Sequence, residues 1–315
     1  MEQDTRMKVL KATGLAIAAA ALYALSTPFS KILLDGVSPT MMASLLYLGA
    51  GIGLLLVTCA GRAIGHHSHE APLNRSDLPY TMAMIVLDIA APILLMTGLT
   101  MTSSATTSLL NNFEIVATTA IALVVFRENV SKTLWTAILL VTVSSILLSV
   151  DDISGFVLSP GALLVLGACF CWGMENNCTR KLSEKDPIQI TTVKGIFSGL
   201  GSMIVALYLG NPIPGIALIC ITLVLGFLSY GLSISSYIRA QRDLGASRVS
   251  AYYSLAPFIG VEIAFVLFRE SLGWSFWIAL LLMIAGTALV TMDALKADDT
   301  VHDNDRKDGA EAEPE

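Results

Sequence analysis

The sequence predicts an all-α integral membrane protein with ten transmembrane helices, arranged as two inverted five-helix repeats. Three observations predict this fold class: the composition is strongly apolar, the apolar residues fall into ten long runs, and a short motif returns at a fixed offset. Hydrophobic residues make up 54% of the 315 residues and charged residues only 14%, whereas a typical soluble protein has about 25% charged residues. With a mean hydropathy of +0.70, the composition favours one membrane-embedded unit over two soluble domains.

The apolar runs are long enough to be transmembrane helices. A bilayer core about 30 Å thick requires about 20 apolar residues in a helix, and lipid offers the backbone no hydrogen-bond partners, so each run must be helical. The first run has a basic start, like a signal peptide, but its apolar part continues to Leu34 and is too long for one. We therefore interpret it as a span. The ten predicted runs cover residues 12–34, 40–61, 78–98, 103–126, 133–150, 159–180, 187–209, 214–238, 246–268 and 273–294.

The distribution of positive charge predicts the orientation of these helices. Lysine and arginine are concentrated in the cytoplasmic loops of membrane proteins. With the N-terminus placed inside, only Lys31 and Arg269 of the 19 lysines and arginines fall on the outer side and Lys194 falls within a span, so the other 16 lie on the inner side. The asymmetry predicts that both termini are cytoplasmic, which requires an even number of spans.

The predicted domain organisation follows from these spans. Residues 1–11 form a cytoplasmic N-terminus, residues 12–150 a first five-helix repeat, residues 151–294 a second, inverted repeat, and residues 295–315 an acidic cytoplasmic tail. The tail has few apolar residues to bury, so we expect it to be disordered.

Internal similarity supports the two repeats. The motif Phe-Arg-Glu at positions 126–128 returns at positions 268–270, and at the same offset Trp135 matches Trp277. Because each copy has an odd number of helices, the second copy must enter the membrane in the opposite orientation. Inverted repeats are typical of secondary transporters, whose substrate site lies between the halves near the bilayer midplane. The alternative is a repeat that reflects ancestry without such a function.

Several segments resemble the ten-helix EamA-type branch of the drug/metabolite transporter superfamily. The segment from Thr102 to Glu128 resembles the fourth helix of that family, and the segment from Gly245 to Glu270 resembles its counterpart in the second repeat. The dipeptides Trp-Gly at 172–173 and Asp-Pro at 186–187 fit the opening of the second repeat, and the resemblance spans residues 12 to 293. It implies a carrier of the bacterial inner (plasma) membrane, frequently an exporter of amino acids or other metabolites.

The fourth helix departs from the pattern of that family. Family members often have a proline in the middle of this helix, as Pro257 stands in the ninth run, whereas this chain has Asn-Asn-Phe-Glu-Ile at 111–115. A carboxylate therefore stands where the family commonly has a kink, so the resemblance alone does not identify the substrate of this chain.

Ionisable side chains inside a bilayer are costly and mark candidate functional positions. We predict proton coupling by Asp88 or Glu114, because intramembrane carboxylates form the proton relays of carriers. Glu175 and Lys194 lie at similar depths in adjacent runs, so they are predicted to form a structural ion pair, an inner gate or a site for a substrate carboxylate. The charged residues inside the predicted spans, away from their ends, are Asp88, Glu114, Glu175, Lys194 and Glu262.

Polar side chains at helical spacing predict a substrate-binding cavity. In the fourth run, Ser104, Thr107, Asn111, Glu114 and Thr118 share one helical face. Trp172, Glu175 and Asn176 share a face of the sixth run, and Tyr253 aligns with Asn111 at the repeat offset. The alternatives are interhelical hydrogen bonds, an interfacial tryptophan and ordinary packing. The candidate substrate-binding residues are Asn111, Asn112, Glu114, Trp172, Glu175, Asn176 and Tyr253.

The predicted function is a secondary carrier that exports a small, amino-acid-like metabolite by alternating access, with proton coupling as one option. The alternatives are an uptake facilitator, or a membrane receptor or enzyme without transport. The sequence has no P-loop, no His-Glu-x-x-His and no Gly-x-Ser-x-Gly motif, so we expect no cofactor, no metal and no enzymatic activity. The His66, His67 and His69 cluster is interpreted as a hydrated loop. We expect the lipid bilayer and a small molecule as partners, no nucleic acid, and a monomer or homodimer.

Overall fold

The structure is a computed structural model that describes residues 2–63, 71–126, 131–152, 157–182, 185–244, 246–270 and 272–311. His66, His67, His69, Gly245 and Glu128 lie outside the described residues. The described backbone is helical apart from its connections and one short antiparallel hairpin, in which β1 (Val150–Asp152) pairs with β2 (Val157–Leu158) between the two halves. The α-helices are α1 (Glu2–Ala24), α2 (Ser26–Leu33), α3 (Pro39–Ala63), α4 (Leu78–Met101), α5 (Ser104–Leu110), α6 (Phe113–Phe126), α7 (Lys132–Ser149), α8 (Pro160–Thr179), α9 (Pro187–Tyr208), α10 (Ile216–Gly226), α11 (Ser233–Leu244), α12 (Ala246–Tyr253), α13 (Ala256–Phe268) and α14 (Trp274–Glu311).

Within the described residues, nine helical segments are long and apolar enough to cross a membrane. They match nine of the ten predicted runs. The remaining run corresponds to α8, which has 20 residues and is therefore about 30 Å long at ~1.5 Å per residue. Its last turns contain Glu175, Asn176 and Asn177, which lower its hydropathy. The all-α membrane fold is thus present, and the length of α8 is compatible with a further span.

Three of the predicted runs contain breaks that the apolar pattern does not show. The first run divides into α1 and α2 just before Pro28, and the ninth divides into α12 and α13 just before Pro257. The eighth run continues from α10 through a π-helical segment, Phe227–Leu232, into α11. The breaks in the first and ninth runs lie beside prolines, which remove a backbone donor and clash with the preceding turn.

The fourth run is also broken, although it has no proline. Helices α5 and α6 are separated at Asn111 and Asn112, where the backbone amides of Glu114 and Ile115 bond the carbonyl oxygens three residues earlier. The side chain of Asn112 donates to the carbonyl of Leu109 at 3.2 Å, which is the kind of local bond by which asparagine competes with regular helix. The sequence expectation of a continuous helix with one polar face is therefore wrong at this point.

The last helix extends further than the predicted span. It runs from Trp274 to Glu311, so the helical backbone continues through the acidic segment for which disorder was predicted. The segment after the span has no proline before Pro314, so no residue in it lacks the backbone donor that a helix requires.

Helices α3 and α9 pack side by side in opposite directions. At the start of α3, the side-chain nitrogen of Asn211, which follows α9, donates to Thr40 Oγ1 at 2.7 Å. Further along α3, Ser44 Oγ donates at 2.8 Å to the carbonyl of Gly199, which lies earlier in α9. Advancing along α3 therefore corresponds to moving back along α9.

Helices α7 and α14 show the same antiparallel relation. Ser131 at the start of α7 donates to Asp293, whereas Ser144 near its end donates at 2.7 Å to the carbonyl of Ala279, near the start of α14. These two pairs join the second run to the seventh and the fifth to the tenth. Corresponding segments of the two halves thus lie antiparallel, as two copies in opposite orientations require.

The other large helix contacts also join a helix of one half to a helix of the other half. Helix α4 of the first half packs on α8 of the second, and in the corresponding relation α11 of the second half packs on α1 of the first. Likewise α6 packs on α8 and α13 packs on α1. The helices that enclose the centre of the molecule are therefore drawn from both halves.

Helices α3 and α10 cross with their backbones in contact. A Cβ atom at Gly226 would lie 2.1 Å from the carbonyl oxygen of Leu46, and a Cβ at Gly49 would lie 2.1 Å from that of Leu223. Small residues permit such close approach between membrane helices.

We expect Gly226→Ala to destabilise the fold by about 1–3 kcal/mol, because the added methyl group meets backbone that cannot rotate away. Thermal unfolding of the purified protein in detergent measures the effect. Gly14→Ala is the matched control, since a Cβ at Gly14 has no neighbour within 4 Å. Equal melting temperatures for the two variants would contradict the prediction.

Candidate functional site

A cavity of about 310 Å³ lies between helices of both halves. Its wall is formed by α1, α3, α6, α8, α9, α11, α12 and α13, by the break between α5 and α6, and by the π-helical segment. The structure brings all seven candidate substrate-binding residues into this wall. The polar, aromatic and charged lining residues are Tyr23, Tyr47, Asn111, Asn112, Glu114, Trp172, Glu175, Asn176, Thr191, Lys194, Tyr230, Tyr253 and Ser254.

A second, wider cavity of about 720 Å³ adjoins the first. The two share Glu114, Glu175 and Lys194 in their walls. The wider cavity extends past the end of α8 and the start of α9, where Arg180 and Lys185 line it. The site is therefore reached from the end of the molecule at which α8 ends and α9 begins.

The opposite end of the molecule is held closed by polar contacts. Lys31 at the end of α2 donates to the carbonyl oxygens of Leu99, at 2.5 Å, and Thr102, at 2.9 Å. The carboxylate of Glu270, just after α13, accepts from the backbone amides of Ser104, at 3.1 Å, and Ala105, at 3.4 Å. These contacts tie both halves to the turn between α4 and α5. We call this group the closed-end contacts.

Three charged side chains form a buried cluster beside the cavity. Lys194 Nζ lies 3.1 Å from Asp88 Oδ2 and 3.3 Å from Glu175 Oε1. Asp88 has no exposed side-chain surface and that of Glu175 is 3% exposed. A charge buried without a partner is strongly destabilising, so the lysine makes both carboxylates tolerable inside the membrane.

Sequence reasoning placed Glu175 beside Lys194 but considered Asp88 separately. Helix α4 packs against both α8 and α9, which brings Asp88 to the same ammonium group. This packing of the third run was not visible in the sequence. Asp88 thus belongs to an ion-paired cluster and does not itself line either cavity.

Tyr47 and Trp172 connect the charged cluster to the cavity. The hydroxyl of Tyr47 donates to Asp88 Oδ1 at 2.9 Å and accepts from the indole nitrogen of Trp172 at 3.3 Å. Trp172 is only 6% exposed, so it lies in the protein interior and not at the membrane interface. The chain of bonds holds the indole ring in the cavity wall.

Glu114 occupies a different environment from the charged cluster. Asn176 donates to Glu114 Oε1 at 2.7 Å, and the same nitrogen approaches Thr118 Oγ1 at 3.3 Å. Within the described part of the chain, the ion pairs involve Asp77, Asp88 and Glu175, and none involves Glu114. This carboxylate is therefore held by an amide, and it lines the same wall as Lys194 without forming an ion pair with it.

The predicted polar face of the fourth run is divided by the helix break. Asn111 and Glu114 line the central cavity, and Thr118 contacts Asn176. Ser104 and Thr107 are buried and line neither cavity. The Thr107 hydroxyl bonds the carbonyl of Ser103 instead.

A cluster of tyrosines forms a further part of the cavity wall, and only Tyr253 was among the predicted residues. The ring centroid of Tyr23 lies 5.7 Å from that of Tyr230 and 5.4 Å from that of Tyr253, and Tyr47 lies 5.7 Å from Tyr230. The available signal was that Tyr23, Tyr47 and Tyr230 each lie well inside an apolar run, where a buried hydroxyl needs a partner. Tyr230 has one in Ser26, at 2.8 Å.

The described residues contain no group of three or more His, Cys, Asp or Glu side chains arranged to hold a metal ion. The arrangement can bind a small solute through hydrogen bonds, charge and aromatic faces. It offers one ammonium group, three carboxylates nearby and several amide groups, within a space that adjoins one open end.

Comparison with known proteins is consistent with this architecture. The model of the EamA-like transporter family matches the chain twice, over residues 10–150 and 159–292. An uncharacterized transporter of Methanothermobacter thermautotrophicus is 28% identical over 288 residues, covering 87% of this chain and 84% of the relative. The uncharacterized transporter YyaM of Bacillus subtilis is 20% identical over 205 residues, covering 62% and 67%.

A solved crystal structure shares the fold, with a TM-score of 0.63 at 16% identity over 91% of this chain and 98% of the other. The two matches to the family model cover both predicted repeats and together account for most of the chain. The chain belongs to the EamA-like transporter family, within the drug/metabolite transporter superfamily.

Proposed function

We propose that this protein is a secondary carrier that moves a small metabolite across the inner (plasma) membrane by alternating access. The observation that carries the proposal is the central polar cavity, which is built from both halves, adjoins a wide opening at one end and is sealed by the closed-end contacts at the other. A site with one open end is what a carrier presents in one of its two states. The antiparallel packing of corresponding helices supports two inverted five-helix repeats.

Ten spans are part of this proposal, with α8 as the sixth. The polar residues that lower its hydropathy are turned away from lipid: Glu175 and Asn177 are both buried, and Asn177 donates to the carbonyls of Gly173 and Thr118. A span whose polar face meets other helices does not need a uniformly apolar sequence.

The proposed orientation of the open end follows from the positive charges. Arg180 and Lys185 line the wide opening, and both belong to the positively charged side that is cytoplasmic by the positive-inside rule. With both termini inside, the open end faces the cytoplasm. In the export that we propose, this inward-open state is the one that loads the metabolite; in uptake by facilitated diffusion, the second candidate, it is the one that releases the metabolite.

Substrate-dependent flux in proteoliposomes that contain only this protein tests the proposal. Metabolites that raise the melting temperature are first selected, and counterflow of each labelled hit is then measured against protein-free liposomes. A carrier exchanges labelled for unlabelled substrate across the bilayer. Saturable binding with no exchange for any bound metabolite would refute transport and favour a receptor.

Proton coupling by Asp88 or Glu114 is expected to appear in the pH dependence of flux. Asparagine and glutamine cannot take up a proton, so Asp88→Asn or Glu114→Gln removes the pH dependence if that carboxylate carries the proton. Flux is measured at several external pH values with the internal pH fixed. Unchanged pH dependence in both variants would reject coupling at these two residues.

A further inference from the structure

We infer that the central cavity binds the ammonium group of a small organic amine, between the carboxylate of Glu114 and the ring faces of Tyr23, Tyr230 and Tyr253. This inference rests on the proposed carrier function and assigns the chemical class of its substrate. Three features of the cavity wall carry it: a carboxylate that forms no ion pair among the described residues, an amide acceptor without a hydrogen-bond partner, and a cluster of tyrosine rings.

Glu114 supplies the counter-charge. Asn176 bonds Oε1 at 2.7 Å and so fixes the orientation of the carboxylate, while no ion pair of the described residues involves Glu114. A carboxylate held away from water is costly unless it meets a positive charge and hydrogen-bond donors. A ligand ammonium provides both, because it carries a positive charge and N–H groups.

The neighbouring Asn111 supplies an acceptor of the same kind. Its side-chain oxygen Oδ1 is buried and has no hydrogen-bond partner among the described residues, and Asn111 lines the cavity with Glu114. Buried acceptors without partners are rare in native structures. Rotation of the Asn111 amide toward the cavity would present this buried oxygen to an N–H group of a bound ammonium.

The tyrosine cluster completes a site for a cation. Tyr23 makes an edge contact with Tyr230 and a tilted contact with Tyr253, and all three line the cavity. Cations are attracted to aromatic faces within about 6 Å of the ring centroid. A neutral molecule of the same shape gains the apolar contact but not this attraction.

The charges around the cavity favour an amine over an amino acid. Lys194 is the one lysine or arginine among the described residues of the central wall, and its ammonium group is already shared by Asp88 and Glu175. A substrate carboxylate would therefore find no unshared cation there, and it would stand near three carboxylates.

The test measures binding of matched probes to the purified protein in lipid nanodiscs by isothermal titration calorimetry. The probes are 3-methylbutylamine, the neutral 3-methylbutan-1-ol and leucine, with 2-phenylethylamine, 2-phenylethanol and phenylalanine as a larger set. In at least one set we expect the amine to bind at least 10-fold more tightly than the alcohol and the amino acid. Amines that bind no better than their alcohols in both sets would overturn the inference, and equal binding of amino acids would overturn the assignment to amines.

Substitutions in the cavity wall test whether the amine binds at the inferred site. Glu114→Gln is expected to weaken amine binding at least 10-fold, whereas Glu262→Gln makes the same chemical change at an exposed position outside both cavities and should leave binding unchanged. Tyr23→Leu should weaken amine binding more than Tyr23→Phe, which retains the ring. Unchanged amine affinity in both Glu114→Gln and Tyr23→Leu refutes the site.

The binding and flux experiments can refute the ammonium site and the carrier function separately. Amine binding that depends on Glu114, without any exchange across the bilayer, would refute the carrier and leave the ammonium site in place. Exchange of a neutral or anionic solute that survives Glu114→Gln would refute the ammonium site and leave the carrier.

Discussion

Lys194→Gln is expected to abolish transport and to destabilise the protein more than any other single charge substitution among the described residues. The ammonium group of Lys194 contacts both Asp88 and Glu175, so its loss leaves two buried carboxylates without a cation. Breaking a buried ion pair by removing one partner typically costs about 3–5 kcal/mol. The expected result is a large fall in the melting temperature of the purified protein, together with loss of counterflow.

The control for this prediction separates charge from packing. Lys132→Gln makes the same change at the exposed start of α7 and should have little effect on stability. The triple variant Lys194→Gln, Asp88→Asn, Glu175→Gln removes all three charges with little change in shape, so we expect it to recover most of the lost melting temperature without recovering transport. A Lys194→Gln protein as stable as Lys132→Gln would show that the cluster is not stabilised by this lysine.

Much of the fold could be predicted because lipid leaves few alternatives for an apolar run. Nine predicted runs coincide with helices long enough to span, and the antiparallel relation of α3 to α9 and of α7 to α14 is what the repeated motif requires. The breaks at Asn111 and in the π-helical segment were not predictable in this way, because hydropathy reports the solvent around a helix and not its local hydrogen bonding.

The candidate site was predictable only as far as polarity identifies it. Glu114, Asn176 and Lys194 stand out because polar groups in a membrane helix must face protein or water. Tyr23, Tyr47 and Tyr230 do not stand out, since a tyrosine ring is compatible with an apolar run. The contact of Asp88 with Lys194 depends on which helices pack together. No single residue in the sequence indicates that packing.

The contacts of Glu270, which ends the Phe-Arg-Glu motif at 268–270, could be learned only from the structure. In the sequence the motif serves as a marker of the repeat. In the structure Arg269 adopts a left-handed backbone conformation, φ 48°, which ends α13. The carboxylate of Glu270 then reaches the backbone amides of Ser104 and Ala105 across the interface between the halves.

Glu270→Gln is expected to loosen the closed end and shift the protein towards the state that opens there. Opening that end separates α13 from the start of α5, so it must break the bonds from Glu270. A hydrogen bond to a charged group contributes about 1.5–3 kcal/mol, and each 1.4 kcal/mol is a factor of ten in an equilibrium. Because glutamine is uncharged and accepts through one oxygen only, we expect the population open at that end to rise by about 10-fold or more.

Labelling of a buried cysteine measures this shift. Ser108 is buried between α5 and α13, where a Cβ at Gly260 would lie 3.0 Å from its hydroxyl oxygen. In a background without the native cysteines, Ser108→Cys should react with a membrane-impermeant maleimide added at the closed end, and faster when Glu270→Gln is also present. Glu262→Gln, on the same helix but outside these contacts, should leave the rate unchanged.

Lys31→Met extends the test, because Lys31 bonds the carbonyls of Leu99 and Thr102 at the same end. If the closed-end contacts act together, removing either charge raises the labelling rate, and removing both raises it by less than the product of the single effects. Equal labelling rates in the parent, Glu270→Gln and Lys31→Met proteins would mean that the closed end is held by apolar packing alone. The seal would then reside in the packing of α2 and α13 on α5, and the charged residues of the repeated motif would have to be explained by folding rather than by the transport cycle.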